Sequence, residues 1–87
     1  MIYVYMIKDD KDRLYVGISN NPQKRLYTHN SNRGASFTKS SKFVIVFLEE
    51  YLTMREARKR EMQIKRWRRE KKDFLIDRYE KGLNTRL

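Results

Sequence analysis

The sequence predicts an α+β fold, a small three-stranded antiparallel sheet flanked by helices in the order β-β-α-β-α-α. Three observations carry this. Residues 2–7 and 14–19 alternate aliphatic side chains with aromatic, glycine and polar ones at period two, across a charged turn. Residues 43–48, Phe-Val-Ile-Val-Phe-Leu, are apolar on both faces and too short for a typical buried helix. From Thr53 onward the apolar positions recur at helical spacing.

The first strand, Ile2 to Ile7, and the second, Leu14 to Ser19, form a hairpin closed around Asp9-Asp10-Lys11-Asp12. One face carries Ile2, Val4, Met6, Leu14, Val16 and Ile18, the natural core set. The other carries Tyr3, Tyr5, Tyr15, Gly17 and Ser19. A one-residue slip would exchange the faces, so opposing residue numbers must sum to an even value. Tyr5 then lies opposite Tyr15 or diagonal to it. A core has no use for phenols beside a residue without a side chain, so this face reads as a site.

Asn21 suits an N-cap and Pro22 the first position of a helix that runs to about Asn30. Arg25 and His29, four apart, share one face of it, and Leu26 anchors the other. Residues 31–42 read as a polar loop with Gly34 at its bend. Within it Arg33, Lys39 and Lys42 suit phosphate oxygens, or else decorate a solvated connector. The third strand spans Phe43 to Leu48. Thr53 and Glu56 make a capping box for a long helix through about Lys71. A last helix, about Asp73 to Lys81, stops at Gly82, and the five residues beyond it are expected to fray.

The long helix has an apolar stripe of Met54, Ala57, Ile64 and Trp67, and Glu61 falls inside it. A buried carboxylate needs a cation, either a basic side chain or a metal ion. Phe43, Phe47, Trp67, Phe74 and Tyr79 read most simply as core.

Eighty-seven residues suggest one domain, residues 1–87, with one thin core. No cysteine is present, which excludes disulfides and thiolate metal sites. No signal peptide or membrane-length apolar run is visible, so a cytoplasmic protein is expected. Twenty-one Lys and Arg against eleven Asp and Glu leave a net charge of +10. That surplus favours a polyanionic partner, nucleic acid before an anionic membrane surface.

Val4-Tyr5 and Tyr15-Val16-Gly17, with the tyrosines ten residues apart, resemble the GIY-YIG endonuclease signature, although Tyr3 stands where that family usually has glycine. The resemblance extends to Arg25 on the first helix, to His29 four residues on, and to Glu61 as the glutamate of a later helix. Residues 30–39 also resemble the Gly-Ala-x-x-Thr loop of the short single-domain bacterial members, the YhbQ-like group.

The resemblance implies a phosphodiesterase site of Tyr5, Tyr15, Arg25, His29 and Glu61 with Gly17 as its platform. It implies one divalent cation, magnesium or manganese, on Glu61, and no organic cofactor. The general base is left open among Tyr5, Tyr15 and His29. A free phenol titrates near ~10, so about one in a thousand is ionised at neutral pH. The expected activity is metal-dependent cleavage of DNA with low or structure-directed specificity, in a family known for repair, restriction and mobile-element roles. The alternatives are a non-catalytic nucleic-acid-binding module on the same fold and, behind it, an adaptor docking an acidic protein. The nuclease reading requires the rings, the guanidinium and the acid to converge.

Overall fold

The computed structural model describes residues 1–34 and 42–86, without the side chains of residues 32–34. Its elements are β1 (Ile2–Lys8), β2 (Leu14–Ser19), α1 (Pro22–Gly34), β3 (Val44–Tyr51), α2 (Met54–Lys65) and α3 (Arg69–Glu80). The sheet is antiparallel with order β2-β1-β3, so the first strand is the central one. The predicted class and element order hold.

The hairpin turn is set by Asp9. Its buried carboxylate accepts the backbone N–H groups of Lys11 (3.0 Å) and Arg13 (2.8 Å) and the Arg13 Nε (2.7 Å). Burial pushes this carboxyl up, but the bonds from Arg13 and Lys11 outweigh it and hold the group below its ordinary range. Asp12 completes the turn with a φ of 66°, a conformation that aspartate tolerates better than most residues.

The two sheet faces bury different clusters. On one face Val4 and Met6 join Phe47 of β3, Ala57 and Ile64 of α2, and Leu75 and Ile76 of α3. Val4, Met6, Phe47, Ile64 and Leu75 are wholly enclosed, worth about 1.5–3 kcal/mol each. On the other face Tyr5, Ile7 and Phe43 pack with Leu26 of α1 and with Ile45 and Leu48. An irregularity between Met6 and Ile7 lets β3 serve both: Phe47 pairs with Met6, but Ile45 pairs with Ile7.

Several expectations are corrected. The first helix continues through Gly34 rather than ending at Asn30. Asn30 stays helical because its side chain brackets the backbone of Phe43, donating to its carbonyl (3.0 Å) and accepting from its N–H (2.9 Å). The third strand starts one residue later and runs three further, to Tyr51.

The long helix ends at Lys65 rather than about Lys71, and the last helix runs from Arg69 to Glu80 rather than from about Asp73 to Lys81. The N–H groups of Arg66 and Trp67 turn back to the carbonyls of Gln63 and Ile64, and Arg68 is extended (φ −68°, ψ 160°), so α3 sets off anew. Met54, Phe74 and Tyr79 are exposed rather than core, although the Tyr79 ring still meets Phe47 at 5.5 Å.

Of the five residues expected to fray, Thr85 and Arg86 are tied down, and Leu87 lies outside the described residues. Arg60 donates to the Thr85 carbonyl (2.7 Å), Thr85 Oγ1 donates to Glu49 (2.7 Å), and Arg86 donates to the Glu50 carbonyl (2.8 Å). Among the described residues no helix is long and apolar enough to cross a membrane.

Candidate active site

The hairpin register answers the question left open by the sequence. Tyr5 pairs with Gly17 and Tyr15 with Ile7, so the two phenols are diagonal neighbours on one face. Tyr5 lies across Gly17: a Cβ at position 17 would sit 2.6 Å from the Tyr5 Oη and 2.8 Å from Cζ. Glycine is required there because the ring occupies the space of a side chain. Tyr5 is buried beneath α1, whereas Tyr15 is 47% exposed. Tyr3, on the same face, donates to Glu50 (3.1 Å), and that bond raises its pKa and keeps its proton.

The end of β2 passes directly into α1. The Asn21 N–H donates to Ser19 Oγ (3.0 Å), and the Asn21 side chain caps the helix by accepting from the Lys24 N–H (3.1 Å). The predicted cap therefore holds, and it fixes the first turn against the hairpin. Arg25 is exposed and, with Lys24, Thr28 and Ser19, lines a small open depression there.

One turn further on, His29 packs its ring against Tyr15 (centroids 6.0 Å) and Phe43 (4.7 Å), and Tyr15 and Phe43 meet edge-on at 5.3 Å. Asn30 locks this triad by bracketing Phe43. No composition rule singles out Asn30, since its role depends on a strand thirteen residues away. Lys42 is exposed beside α1, lining a depression with Leu26 and Asn30. Lys39 and the side chain of Arg33 lie outside the described residues.

Glu61 is placed differently. It sits on α2, which covers the Val4–Met6 face, not the phenol face. Successive residues turn by about 100° around a helix. Ala57 and Ile64 point into the core and Arg60 points to Glu49 on β3, so Glu61 occupies the opposite flank, toward β2. Its side chain is only 12% exposed, as its position in the stripe implied, and its carboxylate pairs with Lys65 at 3.1 Å. The structure thus brings Tyr5, Gly17, Tyr15 and His29 together beside α1, carries Arg25 one turn earlier on that helix, and holds Glu61 on the flank of α2 that turns toward β2, the strand of Tyr15 and Gly17.

A buried ion pair went unread in the sequence. Glu49 and Arg60 are both buried, joined at 2.9 and 3.2 Å, with Tyr51 Oη donating to Glu49 (2.8 Å) and Arg60 donating to Gln63 (2.8 Å). The signal was available. Extending the alternation from Phe47 turns Glu49 inward, and Arg60 lies between Ala57 and Ile64 in the stripe.

Among the described residues no group of three or more His, Cys, Asp or Glu side chains is arranged to hold a metal ion. A divalent cation at Glu61 would therefore rely on one carboxylate, water and phosphate oxygens. That donor set suits magnesium, which keeps several waters.

A protein-family model described as the GIY-YIG catalytic domain matches residues 1–73. A UPF0213 protein of Bacillus pumilus is 43% identical over 76 residues, covering 86% of this chain and 78% of that one. A UPF0213 protein of Clostridium perfringens is 38% identical and covers 97% and 99%. Among solved structures, the solution NMR structure of a UPF0213 protein from Bacillus halodurans aligns over 88% of this chain and 84% of its own, with a TM-score of 0.57 and 28% identity.

Proposed function

The chain belongs to the GIY-YIG family, and from that premise we propose that it is a metal-dependent endonuclease that hydrolyses DNA phosphodiester bonds. The observation that carries the proposal is the Tyr5 ring laid over Gly17, with Tyr15 and His29 in ring contact beside it and Arg25 open to solvent on the same helix face.

Each residue then has a task. Arg25 neutralises a non-bridging oxygen of the scissile phosphate, with two donors available for one group. Tyr15, the half-exposed phenol, is the general base toward the attacking water, and His29 orients its ring. Tyr5, packed and buried, holds the platform and offers its hydroxyl to a phosphate oxygen. Glu61 would hold a magnesium or manganese ion, which would supply charge stabilisation at the leaving oxygen.

The +10 charge favours backbone contacts, which carry little sequence information, so specificity is low or directed at DNA structure. Lys42, exposed beside α1, adds a cation for phosphate oxygens on that side. A cytoplasmic location accords with this role.

The rival, a non-catalytic nucleic-acid-binding module, draws support from one observation: the Glu61 carboxylate is paired with Lys65 at 3.1 Å. The test is cleavage of plasmid and branched DNA with magnesium or manganese by the parent, Glu61→Gln and Arg25→Ala. Loss of cleavage in both variants with binding retained supports the proposal. Cleavage that survives both rejects the assigned site, and salt-sensitive binding by a parent that never nicks DNA establishes the rival.

A further inference from the structure

The opposite flank of α2 carries a second feature. Where α2 breaks into α3, the tail closes an open cavity of about 780 Å³ lined by Tyr51, Lys59, Arg66, Trp67 and Arg86, with one acid, Glu56, among its lining residues. That volume falls within the roughly 300–1,000 Å³ typical of small-ligand pockets.

Its aromatic rings are layered with cations. The Arg86 guanidinium lies 4.6 Å from the Tyr51 ring centre, and Trp67 has the Arg60 guanidinium at 5.2 Å and the Lys71 ammonium at 4.3 Å. Arg60 is neutralised by Glu49, but Lys59 and Arg66 enter no ion pair among the described residues. Two flat rings among uncompensated cations match a ligand that is planar and anionic at once. The wall that Arg86 supplies lies beyond the residues matched by the family model.

We propose that this cavity holds one unpaired nucleotide of a single-stranded nucleic acid, its base against Trp67 and the guanidinium planes, and its phosphates on Arg66 and Arg86. Aromatic rings and arginine planes both stack on bases without sequence preference. Lys71 is exposed, so its ammonium can exchange the ring for a phosphate. The cavity and the phenol face lie on opposite faces of the sheet, so a flat duplex does not reach both, whereas a strand leaving a junction does. This preference in cleavage rests on the nuclease reading; the binding itself does not.

Trp67 is the sole tryptophan, so its emission reports on the cavity directly. The full chain is titrated with a short oligothymidylate, an abasic sugar–phosphate oligomer of equal length and polyaspartate. The expected result is saturable quenching by the oligothymidylate, with binding at least about fivefold weaker for the abasic oligomer. Arg66→Ala and Arg86→Ala should each lower the slope of log affinity against log salt by about 0.7. Glu61→Gln should leave the quenching unchanged whether or not the protein cleaves, which separates this proposal from the nuclease reading.

Equal quenching by polyaspartate would overturn it in favour of an acidic protein partner. It also fails if anisotropy shows the oligothymidylate bound while Trp67 emission stays constant. Quenching abolished by Arg25→Ala but untouched by Arg66→Ala and Arg86→Ala overturns it too.

Discussion

Replacing Gly17 with alanine tests the phenol platform most directly. The backbone there is ordinary strand, with no positive φ, so alanine brings no strain of its own. The added Cβ would stand 2.6 Å from the Tyr5 Oη, 2.8 Å from Cζ and 3.1 Å from Cε2. Carbon atoms rest at about 3.5–4.0 Å, so the ring must withdraw by roughly 1 Å. It has little room to do so, because it is packed among Ile7, Phe43, Leu26 and Leu48.

Overpacking of this kind costs about 1–3 kcal/mol, readable as a lower urea midpoint at unchanged slope. Displacing the phenol by roughly 1 Å should also cut DNA cleavage by about 10²-fold, beyond what the fraction unfolded explains. Tyr5→Phe removes the nearest of the three contacts, so Gly17→Ala should destabilise that background less. A Gly17→Ala protein within about 0.5 kcal/mol of the parent and fully active would refute the packing of Tyr5 over Gly17.

Arg60→Met should lower stability by about 3–5 kcal/mol in thermal unfolding, because Glu49 is left buried without its cation, and adding Glu49→Leu should restore most of the loss. Asn30→Ala removes the two bonds that bracket the Phe43 backbone, for about 1–3 kcal/mol, and should depress cleavage further by loosening the His29 ring contacts. The Asp9 carboxyl titrates below its ordinary 3.8 in the fold, so its contribution is present above about pH 4 and lost as pH falls through the folded value; Asp9→Asn should start less stable and show a flatter acid limb. Tyr51 is pushed up to about 12 by burial and by its bond to Glu49, so the stability of its neutral form is present below pH 10 and lost toward 12. Tyr51→Phe should abolish that alkaline loss, and tyrosinate absorbance should show one late-titrating phenol disappear.

The legible parts of this chain are those whose signal is local. Alternation in residues 2–7 and 14–19 gave both hairpin faces, and the pairs Asn21–Pro22 and Thr53–Glu56 marked two helix starts. The break at Arg66-Trp67-Arg68 was not legible at its true place, because the stretch contains neither glycine nor proline to mark it. The tail looked free because the partners of Thr85 and Arg86 lie on a strand more than thirty residues earlier. At the site, the grouping of Tyr15, Arg25 and His29 follows from a hairpin running straight into a capped helix. The seat of Glu61 does not, since periodicity says that a residue faces the sheet but not which face the helix covers.

The central place of β1 has a bearing on how the protein is made. Of the three strands, β1 leaves the ribosome first, and it is also the one with two hydrogen-bonding edges to satisfy; its Ile2 waits for Tyr51 before the second edge closes. Glu49, on the strand that closes it, waits longer still, for Thr85. Local order in the hairpin can form during synthesis, yet the sheet stays open along one margin until β3 has followed it out. Shortening the last few residues should therefore show itself first as poorer yield of soluble protein during expression, ahead of any defect in the purified molecule.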